Sequence, residues 1–192
     1  MAKQRILFIG GSLNQTRMTH AVARHLQGAY DCHFTPYYAD GLLAWLARRG
    51  LLDFTVLGGA FRRQTDAYLA EHRLPVDFGG RRHGPYDLIV TTSDLLVQRN
   101  LRHGKVILIQ EGMTDPETAM YHLVRRLRLP RYLASTATTG LSDRYDYFCV
   151  ASEGYRDLFV QKGARPDKLV VTGIPNFDNL AAGCGGGFPY NK

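Results

Sequence analysis

The sequence predicts an α/β chain, a Rossmann-like three-layer sandwich around a mostly parallel sheet of about six or seven strands. Three observations carry that reading. Asp87-Leu88-Ile89-Val90-Thr91-Thr92 and Lys105-Val106-Ile107-Leu108-Ile109-Gln110 are continuous apolar runs of strand length, and such runs mark strands covered on both faces. Strand-like and helix-like stretches alternate along the chain, which implies right-handed crossovers. The opening run, Arg5 to Ile9, closes at Gly10-Gly11-Ser12 and hands over to a helical pattern, the order strand, glycine turn, helix.

In that first helix Asn14 or Thr16 supplies the cap, Met18, Ala21, Val22, His25 and Leu26 fall at inward spacing, and Gly28 is the stop. A second strand is expected from Cys32 to Tyr38. A helix from Gly41 to Arg49 follows, with Leu42, Leu43, Trp45 and Leu46 turned inward and Gly50 ending it. Phe54-Thr55-Val56-Leu57 reads as a short strand and Arg62 to His72 as an amphipathic helix. Leu74-Pro75-Val76-Asp77 with Gly79-Gly80 then forms a loop.

Beyond the two central strands, Thr114-Asp115-Pro116-Glu117 starts a helix that runs to about Arg128: Asp115 can cap, Pro116 suits the first helical position and Glu117 complements the dipole. Arg131 to Arg144 lacks periodicity and reads as a long functional loop. The last third repeats the pattern, with a strand over Asp146 to Ala151, Ser152 as cap, a helix from Glu153 to Lys162, Gly163 as stop and a strand over Lys168 to Thr172. Residues 1–180 therefore form one domain. Gly183, Gly185, Gly186, Gly187 and Pro189 make residues 181–192 a linker, where a second domain is expected to begin.

At 192 residues, 45% hydrophobic and 21% charged, the chain can bury a full core, which excludes a disordered or collagen-like protein. No stretch reaches the ~20 apolar residues of a membrane span, and the start leads straight into a strand, so neither an anchor nor a cleaved signal is expected. Cys32, Cys149 and Cys184 show no metal or redox spacing, which reads as reduced, structural and cytoplasmic. The formal net charge is +7. Its arginines come as scattered pairs, Arg48-Arg49, Arg62-Arg63, Arg81-Arg82 and Arg125-Arg126. Solvated helix faces, an anionic substrate and the headgroups of an inner membrane surface are all open readings of those pairs.

In an open parallel sheet, ligands collect beyond the carboxyl ends of the strands. The residues placed there are Gly10, Gly11, Ser12 and Asn14 after the first strand, Ser93 and Asp94 after the fourth, and Gln110, Glu111 and Gly112 after the fifth. Ser152 and Glu153 follow the sixth, and Gly173, Pro175 and Asn176 the last. Gly10-Gly11 allows a sharp turn and a close ligand, but Gln15 stands where a dinucleotide fingerprint has its third glycine, and there is no Walker-type motif. Glu111 is a carboxylate just past a buried strand, costly unless bonded or used. It can act as general base towards a hydroxyl or cap backbone amides of the turn from Gly112 to Pro116. Asp94 has the same choice, between a base and the cap of a short helix over Leu95 to Gln98. His20, His25, His72 and His122 have no ligand-like partners and Ser12 no visible histidine or acid partner, so no metal site, triad or cofactor is expected.

The closing segment, Tyr145 to Glu153, then Gly163, then Asp167-Lys168-Leu169-Val170-Val171-Thr172-Gly173-Ile174-Pro175-Asn176-Phe177-Asp178, resembles a passage in glycosyltransferases of the GT-B fold. It is similar above all to the CDP-glycerol glycerophosphotransferase and UDP-N-acetylglucosamine 2-epimerase-like groups, and Gly10-Gly11-Ser12 resembles the glycine loop that opens the same N-terminal domain. Gln110-Glu111-Gly112 is similar in place to a strand-end glutamate of the epimerases, whose flanking histidine, alanine and arginine are absent here.

The resemblance implies the acceptor-side half of a two-domain enzyme acting on a cell-envelope or glycan acceptor, with peripheral contact to the inner face of the membrane. Glu111 or Asp94 would take the acceptor proton while glycine-loop amides steady anionic groups. The nucleotide-linked donor would bind mainly through a C-terminal half, without which the chain is expected to be inactive. A polyol-phosphate is an equally suitable acceptor. The alternatives are an epimerase of the same fold and a non-catalytic phosphate-binding module. Nucleic acid is the disfavoured partner of that module, because the arginines are dispersed and no RNA-binding aromatic motif is present.

Overall fold

A computed structural model describes residues 3–96, 98–101, 103–112, 117–127, 129–130, 137–176 and 178. Six strands form one all-parallel sheet: β1 (Arg5–Ile9), β2 (Asp31–Thr35), β3 (Leu88–Thr91), β4 (Lys105–Ile109), β5 (Tyr147–Val150) and β6 (Leu169–Val171). Their order is β2-β1-β3-β4-β5-β6. The chain steps outward from β1 to β2 and then crosses to β3 on the other side of β1, so the winding reverses between β1 and β3. That reversal opens a crevice at the carboxyl ends of the two strands. The fold is a Rossmann-like α/β sheet flanked by helices.

Among the described residues the strands are connected by helices α1 (Leu13–Leu26), α2 (Gly41–Arg48), α3 (Gly59–Glu71), α4 (Ala119–Leu127) and α5 (Glu153–Lys162). Alternation along each strand sends residues to opposite faces. Ile6, Phe8, Phe34 and Val90 pack with Met18 and Ala23 of α1 and Leu69 of α3 on one face. On the other, Leu108, Phe148 and Val150 pack against Phe159 of α5. The β1 and β3 part of that second face, Leu7, Ile9 and Ile89, is covered by the rings of Tyr37, Tyr38 and Tyr86.

The element borders follow from local chemistry. Ser152 caps α5 by accepting from the Tyr155 amide at 3.4 Å, and Gly163 ends the helix at φ 103°, a left-handed turn that favours glycine. α1 is capped by Ser12, not Asn14 or Thr16, because Ser12 and Gln15 form a reciprocal capping box. His25 is exposed, since the buried stripe of α1 runs through Gln15, Thr16, Met18, Thr19 and Ala23. β2 stops at Thr35, before Pro36, which has no N–H to continue the ladder. The last strand is likewise shorter than expected, Leu169–Val171, because Pro166–Lys168 forms a 3-10 turn.

Two expectations fail more deeply. Residues 54–57 are turns rather than a strand. The position beside β2 is taken instead by a single parallel bridge, Phe34 to Val76. No residue of α2 is buried, and Leu42 and Trp45 are 70% and 43% exposed. Its apolar stripe signals a covered face, yet no sheet face lies beneath it. α3 also starts earlier than Arg62, at Gly59, whose N–H donates to Asp53 Oδ1 at 3.1 Å. For α4, the Thr118 hydroxyl accepts from the Tyr121 amide at 3.3 Å. The expected cap at Thr114 to Pro116, part of the loop at 131–136, Cys184 and the linker at 181–192 lie outside the described residues. No helix of the described residues is long and apolar enough to cross a membrane.

Candidate functional site

The loops after β1 and β4 meet across β3. Gln15 Nε2 donates to Glu111 Oε2 at 2.6 Å, Asn14 Nδ2 donates to Oε1 at 3.2 Å, and the Ser12 hydroxyl lies 3.5 Å from the same oxygen. From the far edge of the sheet, Asn176 Nδ2 donates to the Glu111 backbone carbonyl at 3.0 Å. The half-buried carboxylate is thus held by two amides and a hydroxyl, all neutral, and no ion pair reaches it among the described residues. Oε2 is fixed by the short bond, while Oε1 has the longer and weaker contacts.

The local sequence explains this arrangement. Gly10 and Gly11 are both buried, and both have negative φ, so space rather than backbone strain requires glycine there. A Cβ on Gly10 would meet Thr16 Oγ1 and one on Gly11 would meet the Gln15 side-chain amide. The capping box then uses the loop's own amides: Ser12 N–H donates to Gln15 Oε1 at 2.9 Å, and Gly10 N–H to the Thr35 carbonyl at 2.9 Å. Those two amides are thereby engaged within the fold. The Gly11 carbonyl is likewise tied, accepting from the buried Thr65 hydroxyl at 3.0 Å.

Gln110 and Gly112 support Glu111 from either side. Gln110 is buried, donates to the Gly112 carbonyl at 2.6 Å and accepts from the Ala151 amide at 2.9 Å, which joins the ends of β4 and β5. Pro175 precedes Asn176 and brings the segment after β6 to the same place. Ser152 and Glu153 stand apart, Ser152 capping α5 and Glu153 pairing with Arg156 at 3.4 Å on the exposed surface.

Asp94 has a different setting. It is 4% exposed, and its two oxygens accept from the amides of Gly140 and Ser142, each at 2.9 Å. The short helix it might have capped does not form; residues 99–101 make a 3-10 turn instead. Asp94 also lines a cavity of about 320 Å³ over β3 and β4, together with Asp143, Arg144 and Lys168. That cavity is separate from the Glu111 loop contacts. Each carboxylate oxygen thus accepts from a loop amide, which ties Asp94 to residues 140–142.

Gln15 joins the site although its place in the sequence points only to a helix start. The spacing Ser12-x-x-Gln15 before a helical pattern is a capping-box signature, and it was the available signal. Ser12, read as lacking an acid partner, has one in Glu111. Among the histidines, His20 and His72 join Tyr68 in an aromatic cluster, with His20 Nδ1 2.9 Å from the Tyr68 hydroxyl. Among the described residues no group of three or more His, Cys, Asp or Glu could hold a metal ion. Cys32 and Cys149 are free thiols whose pKa values burial pushes up.

Fold and site define an open, doubly wound α/β protein with a carboxylate poised at the reversal of the sheet. No family model matches the chain, and no curated protein matches it in sequence. Among solved structures, Anabaena HepE in complex with UDP and glucose is similar with a TM-score of 0.46 and 15% identity, over 88% of this chain and 44% of the other. The chain spans less than half the length of that protein.

Proposed function

We infer that the chain is the acceptor-side half of a GT-B-type transferase, which moves a glycosyl or glycerophosphate group from a nucleotide-linked donor to a cell-envelope or glycan acceptor. The observation that carries this reading is the Glu111 carboxylate, held by Gln15 and Asn14 at the crevice where the sheet winding reverses. A carboxylate at the carboxyl ends of parallel strands sits where ligands of such sheets collect. The resemblance of the segments around Gly10-Gly11-Ser12 and Tyr145 to Asp178 to GT-B transferases supplies the reaction class.

In this reading Glu111 Oε1 accepts the proton of the acceptor hydroxyl while that oxygen forms its new bond to the transferred group. The bond between that group and the donor's nucleoside phosphate breaks, and the departing phosphate takes the electron pair. Gln15 keeps Oε2 fixed, so the other oxygen faces the acceptor in one orientation. The donor would sit mainly on a second domain facing this one. Glu111 is preferred to Asp94 as the base because both Asp94 oxygens accept from loop amides.

The test is Glu111→Gln in the full-length protein as its source makes it. The amide keeps the size of the side chain and an oxygen to accept from Gln15 but cannot take the proton, so transfer should fall by about 10²–10⁴-fold with folding intact. Unchanged turnover in a folded variant removes Glu111 from the reaction. Product analysis separates the chemistry: a glycoside or phosphodiester supports transfer, a free epimer of the sugar contradicts it.

A further inference from the structure

One arginine from each of three dispersed pairs lies at the same cavity. Arg48 from the end of α2, Arg62 from the first turn of α3 and Arg81 after the Val76 bridge line one cavity of about 240 Å³. Its walls include the rings of Tyr37, Tyr38 and Phe78. Residues 36–39 follow β2, so this cavity also lies at the carboxyl edge of the sheet. None of its lining residues takes part in the Glu111 contacts.

Arg48 and Arg81 are exposed and Arg62 is half-buried, so water screens part of their mutual repulsion and an anion between them would relieve the rest. No carboxylate is among the described residues lining this cavity. Arg62 uses its Nε on Asp66, at 3.0 and 2.8 Å, which leaves both terminal amino groups of the guanidinium available. Arg48 and Arg81 have no ion pair among the described residues. The nearby acids are engaged elsewhere: Asp77 accepts from the Arg81, Arg82 and His83 amides and the Tyr86 hydroxyl, and Asp40 accepts from the Arg99 amide at 2.6 Å.

The floor is built, not loose. Tyr38 is 4% exposed; its hydroxyl donates to Asn100 Oδ1 at 3.1 Å and its carbonyl accepts from Gln98 Nε2 at 2.7 Å. Asn100 in turn donates to the Gly79 carbonyl, and the Arg62 guanidinium lies 4.8 Å over the Phe78 ring. Three guanidiniums around one cavity beside aromatic rings offer enough donors for the several oxygens of a phosphate or pyrophosphate.

We propose that this cavity binds a phosphate or pyrophosphate group, carried by a lipid headgroup or by a soluble organic phosphate. For a lipid, α2 divides the two ends of the ligand. Ala44, Ala47 and Arg48 face the cavity, whereas Leu42 and Trp45, one helical turn apart, point outward, with Arg49 stacked on Trp45 at 4.8 Å. Phe54, in the turns after α2, is 78% exposed on the same connection. Phosphate recognition inside and apolar side chains with arginines outside match a phosphorylated headgroup at a lipid surface. A soluble organic phosphate shares the same chemistry in the cavity.

The experiment is titration of the 192-residue chain with inorganic pyrophosphate, followed by sedimentation with phosphatidylcholine vesicles with and without phosphatidate. The double variant Arg48→Gln/Arg81→Gln should weaken pyrophosphate binding about tenfold or more, while Arg48→Lys/Arg81→Lys retains part of it and controls for folding. Cosedimentation that requires phosphatidate, and is lost in Leu42→Ser/Trp45→Ser, identifies a lipid headgroup as the source. Pyrophosphate binding without cosedimentation identifies a soluble phosphate and keeps the cavity assignment. Absent pyrophosphate binding, or equal binding by wild type and the folded glutamine variant, overturns the proposal. These readouts are independent of turnover at Glu111.

Discussion

Gln15 and Glu111, 96 residues apart, are joined by a 2.6 Å hydrogen bond that ties the first turn of α1 to the end of β4. The same Gln15 side chain accepts from the Ser12 amide at 2.9 Å. One residue therefore caps a helix and orients the carboxylate.

Replacing that residue should separate the two roles. Gln15→Ala removes half of the capping box, at a cost of about 1 kcal/mol in unfolding free energy, and frees the Glu111 carboxylate to rotate. Transfer by the full-length protein should fall about 10–100-fold as the base loses its orientation, with the larger effect on kcat. Urea unfolding and steady-state kinetics measure the two effects on one variant. An equal change in KM alone would mean that Gln15 only binds.

Gly11→Ala should reproduce the Gln15 defect without touching that residue. The added methyl would meet the Gln15 side-chain amide, which must leave Glu111 to make room. A crystal structure of the variant should show Gln15 turned away and the Glu111 contact broken, with turnover reduced in the same range as for Gln15→Ala. Gly11→Ala with wild-type turnover would show that the Gln15 contact is dispensable.

Asp77→Asn should destabilise the fold without a direct effect on transfer. The carboxylate is fully buried, and burial alone would raise its pKa, yet donors from His83, Arg82, Tyr86 and Arg81 together hold it below the usual carboxylate value. An amide turns one of its acceptors into a donor facing a backbone N–H, a loss of about 2–3 kcal/mol. Chemical denaturation at neutral pH measures it.

How much of this was legible in the sequence follows how local each signal is. The Ser152 cap, the Gly163 stop and the apolar runs of β3 and β4 are set by residues next to one another, and they stand where expected. Ser12-x-x-Gln15 was equally local, but the glycines beside it drew the reading towards a phosphate loop. The exposure of Leu42 and Trp45 was not legible, because helical spacing says which residues share a face and not what covers it. The arginine pairs look scattered along the chain. Only the return of the chain after α3 brings Arg48, Arg62 and Arg81 together. The partners of Asp94, the amides of Gly140 and Ser142, are more than 40 residues away in a stretch without periodicity.

Stability should rise with pH through the histidine range. Burial is the main cause that lowers the pKa of both His33 and His20 below the ordinary 6.5; a stacked neighbouring ring, His83 at 4.5 Å, adds to it for His33. Folding thus favours the neutral rings, and the unfolded chain binds more protons below that value. The contribution is complete above about pH 6.5 and is lost as the pH falls towards the folded values. Asp77, whose pKa is lowered, acts in a separate and more acidic window, where stability is lost as the carboxylate protonates. Urea midpoints between about pH 5 and 8 should fall on the acid side in wild type and vary less in His20→Gln/His33→Gln. A wild-type midpoint independent of pH in that window would contradict the assignment.

Gly140→Ala should cost about 2 kcal/mol or more, from a left-handed φ of 82° and a methyl directed at the Phe148 ring. It should also loosen the loop that Asp94 holds. Amide hydrogen exchange at Gly140 and Ser142 should accelerate in this variant and in Asp94→Asn, whereas exchange in β1 and β4 should change less. Unaltered loop protection in Asp94→Asn would leave that residue without its structural role.

Proton transfer to Glu111 in a group-transfer reaction is tested most directly by one assay. The full-length protein and its Glu111→Gln variant are incubated with a panel of nucleotide-linked donors and a cell-envelope acceptor fraction, and acceptor-dependent release of nucleoside phosphate is followed. Release by the wild type together with a fall of about 10²–10⁴-fold in the folded variant is the predicted result. Equal release by both proteins would contradict it.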